Sequence, residues 1–266
     1  MPKATPKTGR AKSSRATPTT RPPADPKASH LYTDDNPSTT IHGTGFKDKS
    51  AAASTLTLIA SRSLIYQFQT VNTLYNRAKH HPAMKRAVDG AASTQDMRAA
   101  MEVFREWLDV TYPTLKDGLR AGGFKPVVSK KVVEQYLPRI EGSEDVSEGA
   151  KQFARVYVEL PRGKKLGNVL VDASRPEEPD WEARRYVELA SLVPEGKEDA
   201  GGWEDGELWV DGGGVDEKVP TRVHLEMIAW AWSPWKEHQL SEKGFAVFKV
   251  KGKGGKKTAT GSEGAE

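Results

Sequence analysis

The stretch TQDMRAAMEVFREWLDVTYP, residues 94–113, decides the fold class. Met97, Met101, Phe104 and Leu108 recur at helical steps, with Trp107 beside them. Asp96, Glu102, Glu106 and Asp109 fall on the opposite, solvated face. Thr94 reads as the N-cap and Pro113 as the stop, since proline has no N–H for the helical ladder. An amphipathic helix of this length needs partners of its own kind.

The same period recurs on both sides. Toward the N-terminus, Ser50 reads as the cap of a helix over 50–61. Leu64, Phe68, Val71, Tyr75 and Ala78 form the apolar stripe of another over 64–80, ended by Pro82. Toward the C-terminus, Ser129 opens a short helix with Val132, Val133 and Tyr136 inward. Ser147 opens one burying Ala150, Phe153, Ala154 and Tyr157. Asp180 is placed to cap a sixth, with Ala183, Val187 and Ala190 inward. Thr221 follows Pro220 and opens a seventh, carrying Val223, Met227, Ile228 and Ala231 and ending near Pro234. Strand signals are confined to 168–171 and 245–250. The expected architecture is all-α: a single helical domain of about seven helices over 41–248, with at most short strands. A boundary at 160–165, where Pro and Gly interrupt the pattern, is the alternative.

The ends differ in composition. Residues 1–40 are Pro, Thr, Ser and Ala with seven Lys/Arg and three Asp, and residues 249–266 are rich in Gly and Lys. Neither carries the apolar surface needed to offset chain entropy, so both are expected to be disordered basic tails. Within the domain, 195–218 is Gly-rich and acidic and reads as a long surface loop. Over 195–217 it holds nine Asp/Glu against one Lys.

Composition excludes several functions. Without cysteine there is no disulfide, zinc-thiolate site or thiolate nucleophile. No apolar run approaches the ~20 residues of a membrane span, and the opening residues lack a secretory signal's apolar centre. The expected setting is the nucleus or the cytoplasm, away from membranes. His224-Leu225-Glu226 has the His-x-Glu form of zinc deaminases, but their Cys ligands are missing, so the pair reads as an exposed helical turn. The lysine-rich run 252–258 lacks the spacing of a phosphate-binding loop. No catalytic residue, metal ligand or cofactor site emerges.

One positive signal remains. Between Asp48 and Asp89 there is no carboxylate in forty residues, while Lys49, Arg62, Arg77, Lys79, Lys85 and Arg86 add six positive charges. Average sequence is about a quarter charged, with both signs mixed. Arg77, Lys79, His80, His81, Lys85 and Arg86, with Tyr75 and Asn76 alongside, therefore form a candidate nucleic-acid surface. The cations would hold phosphates, and the basic tails would add affinity without sequence preference. Against this stands simple helix-end electrostatics, which favours cations at a C-terminus, with the acidic loop as an internal cover. The expected function is non-enzymatic nucleic-acid association. The alternatives are a scaffold that binds a protein partner through Trp232, Trp235 and the acidic loop, or an enzyme site assembled from distant residues.

Overall fold

The protein is described by a computed structural model covering residues 41–85, 92–212 and 218–240. The expected tails and the expected strand at 245–250 lie outside these residues. The described part is helical apart from one two-stranded ribbon.

Helix α1 (Lys49–Leu58) is capped by Asp48, whose carboxylate accepts from the Ala51 N–H at 2.8 Å. The cap is thus two residues earlier than Ser50. Helix α2 (Leu64–Lys79) follows after a tight turn, and the single turn α3 (Pro82–Lys85) continues the chain. Helix α4 (Ala92–Glu106) buries Met97, Ala100 and Phe104. Thr94 lies inside α4, so it is not the cap. Pro113 does not stop the chain either. A π-helical turn (Trp107–Thr111) follows α4, and the Tyr112 N–H reaches back to the Trp107 carbonyl. Helix α5 (Tyr112–Asp117) then begins with Pro113 in its first turn. The missing Pro113 N–H thus falls where the π-helical turn already interrupts the regular ladder. Helices α1, α2 and α4 bury Ile41, Ala52, Ile59, Val71, Leu74, Ala100, Phe104 and Trp107 as one apolar cluster.

The second half has its own, larger core. Turn α6 (Ala121–Phe124) is followed by α7 (Lys130–Gly142) and α8 (Glu148–Glu159). Ala150, Phe153, Ala154 and Tyr157 of α8 are buried as their spacing predicts, and Ser147 caps the helix through the Ala150 N–H. A 3-10 turn (Leu166–Asn168) and one bridge between Leu170 and Asp180 replace the strand expected at 168–171. Helix α9 (Trp181–Leu192) is capped by Asp180 as expected, with the opposite face inward. Trp181, Arg185 and Leu189 are buried, whereas Val187 is 64% exposed.

The acidic stretch is not a plain loop. It contains a 3-10 turn (Ala200–Gly202), the single turn α10 (Asp205–Leu208) and strand β1 (Trp209–Asp211). β1 pairs antiparallel with β2 (Lys218–Pro220), with Val210 opposite Val219. Leu208 and Trp209 are buried and anchor it. Helix α11 (Arg222–Ala229) is capped by the Thr221 hydroxyl and runs through the centre of the larger core.

The two cores meet at a buried ion pair. Arg62 Nε donates to Asp180 Oδ2 at 3.1 Å, and both side chains are at most 1% exposed. The same Asp180 oxygen accepts from the Ser63 N–H and hydroxyl, each at 2.9 Å, and its other oxygen caps α9. Arg62 also donates to the Pro176 and Gly167 carbonyls. Each guanidinium nitrogen and both carboxylate oxygens have a hydrogen-bond partner, which offsets the cost of burying the charges.

Candidate functional site

The candidate surface at the carboxyl end of α2 forms because Leu74 and Ala78 face the core. Helical geometry then turns the intervening positions toward water. Lys79 and His80 are exposed, and neither takes part in an ion pair among the described residues. Arg77 is half-buried, and its Nε is shielded from water without a hydrogen-bond acceptor. Arg62 has left the group, because its guanidinium is spent on Asp180.

The neighbours are more engaged. The Tyr75 hydroxyl accepts from Arg105 Nη2 at 2.7 Å, and the same guanidinium lies 5.7 Å from the ring centre. Asn76 donates to the Asn72 carbonyl at 2.8 Å and to its side-chain oxygen at 3.1 Å. His81 is half-buried with its ring edge against Phe46, and its Nδ1 accepts from the Ala83 N–H at 3.2 Å. Lys85 closes α3, and Arg86 lies outside the described residues.

Three carboxylates of the acidic segment are matched elsewhere. Glu198 accepts from Arg120 at 2.6 Å, Glu207 from Lys197 at 2.5 Å and Asp211 from Lys218 at 3.1 Å. Hydrogen bonding from Arg120 and Lys197 lowers the pKa of Glu198 and Glu207 below the ordinary carboxylate value. None of these acids reaches Arg77, Lys79 or His80.

The tryptophan pair expected to meet a protein partner is different from its sequence reading. Trp232 is 1% exposed and meets Phe124 edge-on at 5.4 Å, so it offers no contact surface. Trp235 is half-buried with its ring centre 5.8 Å from that of Trp209. The reason is local. Helix α11 ends at Ala229, and Ala231 takes a positive φ of 54°. The chain reverses there, so Trp230 and Trp232 enter the same core instead of opposite faces of one helix.

His224 and Glu226 are also inside rather than on an exposed turn. His224 Nδ1 lies 3.1 Å from the Leu208 carbonyl, and Nε2 lies 3.0 Å from the Ser233 hydroxyl. A proton on Nδ1 satisfies the carbonyl and leaves Nε2 to accept from Ser233. Burial pushes the histidine pKa down from 6.5 to about 4. The unfolded chain therefore binds a proton more readily than the folded one between those values. Stability contributed by neutral His224 is complete above pH 6.5 and is lost as pH falls toward 4, by on the order of 3 kcal/mol. Urea midpoints at pH 7 and pH 4.5 should differ more for the parent than for His224→Gln. Equal pH dependence in both would mean that the imidazole is not buried in neutral form.

Buried charges were the least legible part of the sequence. Arg185 is fully buried and donates to the carbonyls of Trp230 at 2.8 Å and Phe124 at 3.0 Å. Longer contacts reach Gly123 at 3.3 Å and Ala231 at 3.4 Å. The nearest carboxylate, Glu182, is 3.9 Å away. The one available signal was its place four residues from both Trp181 and Leu189, which puts a cation in the middle of an apolar stripe.

Among the described residues, no three of His, Asp and Glu gather where a metal ion could be held. No described helix is long and apolar enough to cross a membrane. No protein-family model, curated protein or solved structure matches the chain.

Proposed function

We propose that this protein associates with nucleic acid through phosphate contacts at the carboxyl end of α2. The observation that carries the reading is a cationic helix end without acidic partners among the described residues. Lys79 and His80 are exposed there, Arg77 stands beside them, and Glu198, Glu207 and Asp211 of the acidic segment pair with Arg120, Lys197 and Lys218 instead. Unpaired cations clustered on one helix end attract polyanions and release their counterions on contact. Lys85, Arg86 and the basic terminal segments would extend the contact along the backbone. Base-specific recognition is not part of the reading, because Tyr75 and Asn76 already bond to Arg105 and Asn72. Such a role belongs in the nucleus or wherever nucleic acid is exposed.

The test is fluorescence anisotropy of labelled duplex and single-stranded oligonucleotides with the full chain over a range of salt. Binding should weaken steeply with salt and depend little on sequence. Lys79→Glu combined with Arg77→Glu should reduce affinity at least about tenfold at low salt. The salt slope should fall by about one for each phosphate contact removed. No binding at low salt, or binding that these changes leave intact, overturns the proposal.

A further inference from the structure

We propose that the cleft between α2, α5, turn α6 and α9 binds a small apolar molecule carrying a single carboxylate. The cleft encloses about 320 Å³ and has mostly apolar walls. That volume lies at the small end of ligand sites, which run from ~300 to 1,000 Å³. Ile65 and Val187 line it while 44% and 64% exposed, and Leu119, Tyr112 and Tyr186 continue the apolar lining. Open apolar side chains around a concavity gain free energy when an apolar body covers them.

The walls are held rigidly, which lowers the ordering cost of binding. The start of α2 is fixed by Ser63 on the buried Asp180. Turn α6 winds left-handed, with φ of 47° at Ala121, 56° at Gly122, 83° at Gly123 and 56° at Phe124. A left-handed turn costs non-glycine residues roughly 1–2 kcal/mol each. Here Arg185 grips the Gly123 and Phe124 carbonyls from behind, and the buried Phe124 ring anchors the end. At Gly122 an added Cβ would meet nothing within 4 Å, so the turn presents bare backbone to the cleft. The Tyr186 hydroxyl accepts from the Arg120 N–H at 3.3 Å, which sets the angle of the far wall.

The charges lining the cleft name the ligand. Arg62 is matched by Asp180, and Lys125 by Glu182 at 3.0 Å. Lys116 lines the same cleft, is exposed, and forms no ion pair among the described residues. One positive charge is thus left over at the rim of an apolar hollow. A medium-chain or aryl carboxylic acid complements that arrangement, with its body on Ile65 and Val187 and its carboxylate on Lys116.

The experiment titrates the full-length protein with decanoate by calorimetry, with 1-decanol as the uncharged counterpart. Saturable one-to-one binding of decanoate is expected. Lys116→Glu should weaken decanoate at least about tenfold while leaving decanol unchanged. Val187→Asp should weaken both, and thermal melts should show that neither exposed substitution unfolds the protein. Absence of saturable binding overturns the proposal. So does decanoate binding that is indifferent to either substitution, because the carboxylate contact and the apolar wall are both required.

Discussion

Asp180→Ala is expected to lower the unfolding free energy by about 3–5 kcal/mol, a fall of roughly 10 °C in Tm. Three losses combine. Arg62 is left as a charge in a fully buried position, and its cost is the largest. Ser63 loses the acceptor for both its N–H and its hydroxyl. Helix α9 loses its cap on the Ala183 N–H, worth about 1 kcal/mol alone. Asp180→Asn separates these terms, since it retains an oxygen for the cap while removing the charge. Most of the loss should persist in that variant. Removing both charges in Arg62→Met with Asp180→Leu should recover part of it, because a paired deletion leaves no lone buried ion. Denaturant titration of the four proteins is the measurement. A cost under about 1 kcal/mol for Asp180→Ala would mean that the two cores are not joined by this pair.

The second large effect is expected at Arg185. Arg185→Met keeps an unbranched apolar stem that ends where the arginine Nε stands, and with it the packing between Trp181 and Leu189. It removes the donors to four backbone carbonyls, those of Gly123, Phe124, Trp230 and Ala231. Two opposing effects decide the size. Desolvation lowers the pKa of Arg185, so deleting its charge relieves some cost. The carbonyls of Gly123, Phe124 and Trp230 are left bare in the interior at about 1–3 kcal/mol each, while that of Ala231 keeps the Val128 N–H. Carbonyls outnumber the single relieved charge, and the net loss should be about 3 kcal/mol. The effect should also be local. The Lys125 N–H donates to Ala121 and the Val128 N–H to Ala231, and both bonds span chain that Arg185 holds in place. Hydrogen exchange at these two amides should accelerate more than at the centre of α8. Uniform acceleration would show that Arg185 acts through overall stability alone.

The helices themselves were legible because their signals are local. The stripe Ala150, Phe153, Ala154 and Tyr157, with Ser147 ahead of it, is buried and capped as its spacing requires. Asp180 and Thr221 also cap where they should. The interrupted places were harder to read. Pro113 looked like a stop, yet the wide turn before it lets helix resume. Periodicity gives the right helix at α9 with the wrong face, since Ala183, Val187 and Ala190 are as regularly spaced as Trp181, Arg185 and Leu189. An arginine in the second set hid the true stripe.

From the sequence alone follow the helical class, the caps at Ser147, Asp180 and Thr221, and the cationic run along α2. These depend on neighbours within a turn or two, where propensity and side-chain spacing act. Only the tertiary structure decided which charges are available. Arg62 is joined to an acid 118 positions away, Arg185 to backbone 46 positions away, and Glu198 to Arg120 across 78. Ion pairing and burial depend on distance through space and on exclusion of water, and neither quantity is written in the order of the residues.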